Sequence, residues 1–477
     1  MMLRNVFGAS VGSVLANVVR VLLSFGSTVM AARLLGLEQF GVASALLAQS
    51  VFIHYLFTLG LDQTLPAEND SDLVDETAVL GIAASFLVGT LVTLLLAWGY
   101  FDEGPQFSVG FLLLWQAVFS ALGAIVAGVL RFRSAYVQLI LKDQILFPTG
   151  VFLSSSLLLW LSGGSLLVYA SGYAASAICL FAAWLIYFRI DLRRALERLY
   201  STSSRMTLAV TTLKRSAPVG VLSLVEIGTP WAILVVVSWR FTADEVGLLA
   251  LCIRYGALCT FIAMALGPLV AGTLPKLHFA APPKLAGPAQ EVMRISAAGA
   301  LAMGAGMLMF LNELSRIAGV ADIQWMLFSW VLLAFVLDGA LALSKFVIIT
   351  AGDRVAYLLG SAGSLMVASM TALLPVFRDG AVAGSVALLV GALTMIIVRV
   401  WLVKRACGFS PLKWKDVLKL SVLALPVVAL AVVANTCSWS FSARILAILP
   451  SIGILAIFIW RSLEPEGFFR RSSESKW

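Results

Sequence analysis

Apolar runs of about twenty residues, separated by short polar stretches, recur along the whole chain. A helix rises about 1.5 Å per residue, so roughly twenty apolar residues carry it across a bilayer core of about 30 Å. Fourteen such runs fall near 11–32, 40–61, 78–98, 107–130, 136–161, 166–188, 217–239, 246–270, 295–311, 323–349, 355–377, 382–403, 417–436 and 444–460. In hydrocarbon every backbone N–H and C=O needs an internal partner, which a run of this length finds as a helix. The pattern predicts an all-α polytopic membrane protein of about 14 transmembrane helices, with the last pair weaker than the rest.

Composition agrees with that reading. Hydrophobic residues make up 61% of the 477 and charged residues 12%, about half the roughly 25% of a soluble domain. Mean hydropathy is +0.98, and one globular core cannot hide so much apolar surface. The first run follows a single positive charge, Arg4, and lacks a small-residue cleavage site, so it is expected to stay as an anchor. The five cysteines are scattered, odd in number and without a C-x-x-C pair. They imply packing residues rather than a disulfide framework or a metal site.

Charge then orients the chain. Fourteen crossings return it to its starting side. On the far side stand only Arg33, Arg240, Arg316, Arg378 and Arg444, and four basic residues, Arg20, Arg254, Lys345 and Arg399, fall within runs. The other Lys and Arg residues, out of 33, lie in the near-side loops and tails, which makes that side cytoplasmic. One near-side loop is acidic instead, from Glu68 through Asp70, Asp72 and Asp75 to Glu76. The longest near-side connection, 189–216, carries Arg189, Arg193, Arg194, Arg198, Arg205, Lys214 and Arg215 among leucines at roughly helical spacing. It reads either as a helix lying on the inner leaflet with its cations at lipid headgroups, or as an ordinary positive linker. It separates six helices from six.

The halves also repeat a motif. The first helical hairpin turns through Ala32-Arg33-Leu34-Leu35-Gly36-Leu37-Glu38-Gln39-Phe40-Gly41, and the hairpin after the seventh run through Arg240-Phe241-Thr242-Ala243-Asp244-Glu245-Val246-Gly247. Each reads Arg, spacer, acid, apolar residue, Gly. Six helices lie between them, an even number, so the halves are parallel repeats about an axis along the membrane normal. The expected organisation is an N-terminal six-helix lobe over 1–190, a cytoplasmic linker over 191–216, a C-terminal six-helix lobe over 217–405, and two further helices with a tail over 406–477.

The first motif, followed by Leu59-Gly60-Leu61-Asp62, resembles the Wzx-type polysaccharide flippases of the multidrug/oligosaccharidyl-lipid/polysaccharide (MOP) exporter superfamily. Asp244-Glu245-Val246-Gly247 with Arg254-Tyr255, and Pro268 with Leu274-Pro275-Lys276-Leu277, are similar to the start of that family's second half. The acidic loop after the second run departs from the family pattern. The resemblance implies a flippase that moves polyprenyl-diphosphate-linked oligosaccharide across the bacterial inner membrane, both termini cytoplasmic, for O-antigen, capsule or exopolysaccharide synthesis. It implies a secondary transporter rather than an enzyme, with no cofactor beyond a coupling ion, Na⁺ or H⁺. The implied partners are the lipid-linked oligosaccharide, membrane lipids, and polysaccharide polymerase and export machinery, with no nucleic acid.

Ionisable residues inside a bilayer cost about 2.5–3.5 kcal/mol even on lenient insertion scales, so each requires a reason. Arg20 falls near the middle of helix one, His54 of helix two and Glu226 of helix seven, and Arg254 lies on helix eight. In the family these four helices line the cavity between lobes. A guanidinium stays charged and holds phosphate oxygens through paired hydrogen bonds. Arg20 and Arg254, with His54 beside them, are therefore the expected substrate-binding residues. The other role open to each arginine is an ion pair that locks helices together. Glu226 precedes Pro230 by four residues, where a prolyl break frees carbonyls beside a carboxylate. It and Asp338 are the expected cation-coupling residues, with Lys345, seven residues on from Asp338, as a possible structural partner. Arg399, near its span's end, is expected to snorkel.

Some chemistry is absent. There is no Gly-Lys pair, hence no P-loop. The only histidines are His54 and His278, which support no catalytic triad or metal cluster. Outer loops are short, the longest about 312–322. The alternatives are a cation-coupled multidrug exporter of the same superfamily, which predicts an acidic cavity, and a membrane enzyme of polysaccharide assembly, which needs a larger outer domain.

Overall fold

A computed structural model describes residues 2–447 except 69, 101–104, 134, 136–137, 140, 202, 268–269, 271–285, 321–322, 352, 438, 440–441 and 446. Side chains of residues 2–14 and of some further helical positions, Glu226 among them, lie outside that set. The expected fourteenth span, 444–460, falls almost wholly outside it.

Among the described residues the chain is helical, without a strand. Nine helices among these residues are long and apolar enough to cross a membrane, and three shorter apolar helices accompany them. Their surfaces show why lipid suits them. On α3 (Ser71–Tyr100) Leu87, Leu91, Leu95 and Trp98 are all exposed, Trp98 to 74%. Spaced by three and four residues, they form one helix face that water would not tolerate and hydrocarbon accepts.

The chain divides into two compact units, Met1–Gly247 and Leu248–Trp477. In the first, α1 (Met2–Phe57) contains both helices of the opening hairpin, separated by a kink at Gly36, whose φ of 76° suits glycine. Leu59 and Gly60 also take positive φ, at 52° and 68°, and end that helix before the short α2 (Leu61–Thr64). Next come α3 and α4 (Pro105–Phe132). The fifth crossing, α5 over 141–161, is irregular: π-helical turns at Leu141–Leu146 and Phe152–Leu157 interrupt it. Its serines satisfy backbone groups and neighbours, with Ser154 Oγ 2.7 Å from Gly150 O and Ser156 Oγ donating to Ser27 Oγ of α1 at 2.7 Å. The helix α6 (Leu166–Ser201) continues well past its membrane span, and α7 (Ser203–Ile227) follows. The basic connection is thus helical. A break at Gly228 leads into α8 (Thr229–Ser238), with Pro230 in its first turn, where a missing N–H costs least. This is the prolyl interruption the sequence predicts. Phe119, Leu122, Phe181 and Trp184 form the buried seam of α4 and α6.

The helix α9 (Ala243–Gly256) starts in the last residues of the first unit and tightens into a 3₁₀ turn at Ala257–Thr260. In the second unit follow α10 (Ala286–Met309), the short amphipathic α11 (Leu311–Ala318), α12 (Trp325–Leu341), α13 (Ser344–Thr350), α14 (Arg354–Ala372), α15 (Gly380–Cys407) and α16 (Trp414–Thr436). The longest expected outer loop therefore contains a helix. Leu341, Val347, Ile348, Tyr357, Met395 and Leu402 build the core here.

Candidate functional site

Arg20, His54 and Glu226 belong to the first unit, and Arg254 and Asp338 to the second. Arg20 lies on α1 and Arg254 in the last turn of α9, each half-buried. His54 sits in the last turn of α1, not mid-helix as the sequence suggests, because the left-handed pair Leu59–Gly60 ends the helix early. Its ring meets that of Tyr55 edge-on, 4.9 Å between centroids. Glu226 is the penultimate residue of α7, and its side chain lies outside the described residues.

The backbone around His54 and Glu226 is well defined. The second half of α1 runs past α7 and α8, with Gly60 beside Gly220 and Phe52 beside Gly228. The levels of residues 54 and 226 coincide along that helix pair. Gln63 Nε2 donates to Ser223 Oγ at 2.6 Å near its end.

Asp338 differs from expectation. Its partner is Arg399 of α15, whose Nη1 donates to Asp338 Oδ1 at 2.7 Å. Lys345 is not on the same helix, since α12 ends at Leu341, and its Nζ lies 5.3 Å from the Phe346 ring centroid. Arg399 does not snorkel. It is 7% exposed, turned inward between α12 and α14, while the Asp338 side chain keeps 42% of its surface open.

Arg444 also departs from its expected role as a loop residue. It is 2% exposed. Its Nη1 donates at 2.8 Å to both Met309 O and Glu313 Oε2 and at 3.0 Å to Asn435 Oδ1, and Nη2 reaches Ala434 O at 3.2 Å. A buried guanidinium is tolerable when its fork is filled in this way. It ties the ends of α10, α11 and α16 together.

The acidic loop has a structural answer in the first unit. Arg133 Nη2 chelates Asp75 at 2.9 and 3.0 Å while Nη1 donates to Asp191 Oδ2 at 2.8 Å. Its guanidinium also lies 5.2 Å from the Phe188 ring centroid. Burial works against its charge, but the hydrogen bond to Asp191 and the two carboxylates outweigh that, holding its pKa above the ordinary arginine value. Arg198 pairs with Asp72 at 2.9 Å, and both Arg198 and Arg205 approach the fully buried Glu76 at 3.4 Å. Part of the basic connection therefore serves the protein rather than headgroups. Arg194, Lys214 and Arg215 remain exposed. Sequence reasoning passed over Arg133, Arg399 and Arg444 as site or framework residues. Every carboxylate partner of these three lies more than fifty residues away in sequence, so no local spacing signals the pairs.

All five cysteines are free. Among the described residues no group of His, Cys, Asp and Glu has the makings of a metal site.

No protein-family model and no curated protein sequence matches this chain. Solved structures do. The chain is similar to the inward-facing conformation of a multidrug resistance MATE family transporter of the MOP superfamily, at 14% identity over 81% of this chain and 95% of that one, with TM-score 0.65. It is similar to the lipid II flippase MurJ in an inward closed conformation, at 13% identity over 94% and 98%, with TM-score 0.69. MATE in complex with MaD3S matches at 13% identity over 83% and 96%, with TM-score 0.57. The chain is a multi-pass membrane protein with the fold of the MOP-superfamily transporters, as the sequence motifs imply at that level.

Proposed function

We propose that this protein is a flippase for polyprenyl-diphosphate-linked oligosaccharide repeat units, acting in the bacterial inner membrane with both termini cytoplasmic, by cation-coupled alternating access. The observation that carries this reading is the extent of the likeness to a lipid II flippase. A match over 94% of the chain leaves too few residues over to omit the C-terminal segment 406–477, whereas the MATE match stops at 81%. A substrate with a lipid-diphosphate anchor needs permanent cations within the membrane, and Arg20 and Arg254 supply them as diphosphate ligands, with His54 contributing a hydrogen bond.

Coupling to Na⁺ or H⁺ is assigned first to Glu226, four residues before Pro230, which has no N–H to offer the Glu226 carbonyl. Asp338 is the second coupling residue, and its use requires the Arg399 pair to open. The test is translocation of defined lipid-linked oligosaccharides in proteoliposomes. Arg20→Ala and Arg254→Ala should each abolish headgroup transfer while Arg20→Lys retains part of it, since lysine keeps the charge and loses the fork. Transfer at the wild-type rate in both alanine variants would refute the assignment. Glu226→Gln should remove dependence on the ion gradient.

The multidrug exporter reading is favoured by the MATE likeness. Efflux of cationic dyes, undiminished by Arg20→Ala, would support it.

A further inference from the structure

In the first unit an open cleft lies where α3, α4 and α6 come together, at the end of these helices that carries the acidic loop and the basic connection. Its walls are apolar, Ile82, Val126, Val129 and Leu185 among them, and Asp75, Arg133 and Asp191 stand at its charged end. Beside it on α6, Ile186 and Tyr187 are 69% and 63% exposed. The rings of Trp184, Tyr187 and Phe188 meet one another there, with centroids 5.6, 6.2 and 4.8 Å apart. Tryptophan and tyrosine gather where hydrocarbon gives way to headgroups, so the cleft opens at that level of the bilayer.

Two of its features are unanswered by the protein. The first is charge. Arg133 is shared by Asp75 and Asp191, one guanidinium for two carboxylates. Next to them Asp70, Asp72 and Glu76 are paired with Arg198 and Arg205. These contacts set five carboxylates against three guanidiniums, on a face of the chain where basic residues otherwise prevail. The second is a donor. Trp184 lines the cleft and is 8% exposed, and its Nε1 meets no acceptor among the described residues. A buried N–H left so is costly, and the cleft it borders is the route by which an acceptor can arrive from the bilayer.

Asp191 follows Trp184 by seven residues of α6, about 10 Å along the axis. The site therefore calls for a cationic hydrogen-bond donor at the surface and an oxygen acceptor about two turns deeper, with an apolar chain attached. An ethanolamine phospholipid has this order of groups: ammonium, phosphate, ester carbonyls, acyl chains. An anionic headgroup would add negative charge where carboxylates are already in excess. A choline headgroup carries a cation but has no N–H to give a carboxylate.

We propose that this cleft binds a phospholipid with an ethanolamine headgroup, its ammonium between Asp75 and Asp191, an ester carbonyl on Trp184 Nε1, and one acyl chain along Ile82 and Leu185. The inference rests on the membrane fold and is independent of the transported substrate.

The test places the full-length protein in nanodiscs doped with a phospholipid brominated near the top of its acyl chains. Bromine quenches tryptophan fluorescence on contact, and subtracting the signal of Trp184→Phe isolates the part that belongs to Trp184. The brominated ethanolamine lipid should quench that part half-maximally at a mole fraction roughly tenfold below its choline and glycerol counterparts, as one added charge-assisted hydrogen bond allows. Asp75→Asn with Asp191→Asn should erase the preference. Ile82→Phe, which narrows the cleft and leaves the charges, should erase it too, and serves if the asparagine variant fails to insert. Equal quenching by the three lipids in the wild type overturns the site, as does an ethanolamine preference that survives these variants. Stronger quenching by the glycerol lipid would mean that arginines recruit an anionic headgroup, and overturns it as well.

Discussion

The two units hold their charges in different ways. The second unit draws two arginines inward: Arg399 at 7% and Arg444 at 2% exposure, each facing a carboxylate across more than sixty residues of sequence. The first unit gathers these pairs toward the helix ends, where Arg133, Arg198 and Arg205 keep about a third of their surface exposed. The chemistry is the same in both, guanidinium against carboxylate, but water is not. An inward pair is expensive to break because the survivor is left charged in a dry place, whereas a pair at a helix end is partly screened. The same residue type thus locks helices in one unit and organises a surface in the other.

That contrast can be broken at four points. Arg444→Leu leaves Glu313 and its neighbouring carbonyls unanswered, and should destabilise the detergent-solubilised protein by about 3–5 kcal/mol, seen as the largest fall in unfolding midpoint. Asp338→Ala strands Arg399 and should cost about 3 kcal/mol, while Asp338→Leu with Arg399→Leu together should recover most of that loss. If the double variant is as unstable as the worse single one, the pair is not simply a charge lock. Glu76→Gln removes a buried charge facing Arg198 and Arg205, and should cost about 1–2 kcal/mol by denaturant titration in micelles. Arg193→Ala opens the exposed pair with Glu197, and a change below about 0.5 kcal/mol that disappears in 1 M salt is expected. An effect of Arg193→Ala as large as that of Asp338→Ala would erase the distinction drawn between the units.

The glycines teach a related lesson. Gly41 and Gly247 were visible as a repeat, but a repeat is silent on which surfaces meet. Only the fold brings Gly41 against the start of α9 and Gly60 against Gly220. His54 shows the reverse limit. Its span was correctly apolar, yet Leu59 and Gly60 end the helix at Phe57, because a left-handed leucine is too rare to be expected from composition.

By itself the sequence determined that this is an all-α membrane protein, since lipid demands long apolar runs and helices answer that demand locally. It also determined the repeated hairpin motif and the helix interruption near Pro230, because turn, cap and proline signals act within a few residues. The partners of Asp338, Arg444 and the acidic loop were decided only by tertiary structure. Ion pairs form between side chains that packing brings together, and a chain of 477 residues offers each carboxylate 33 Lys and Arg residues to choose from. Distance in space makes that choice, and distance along the sequence carries no record of it.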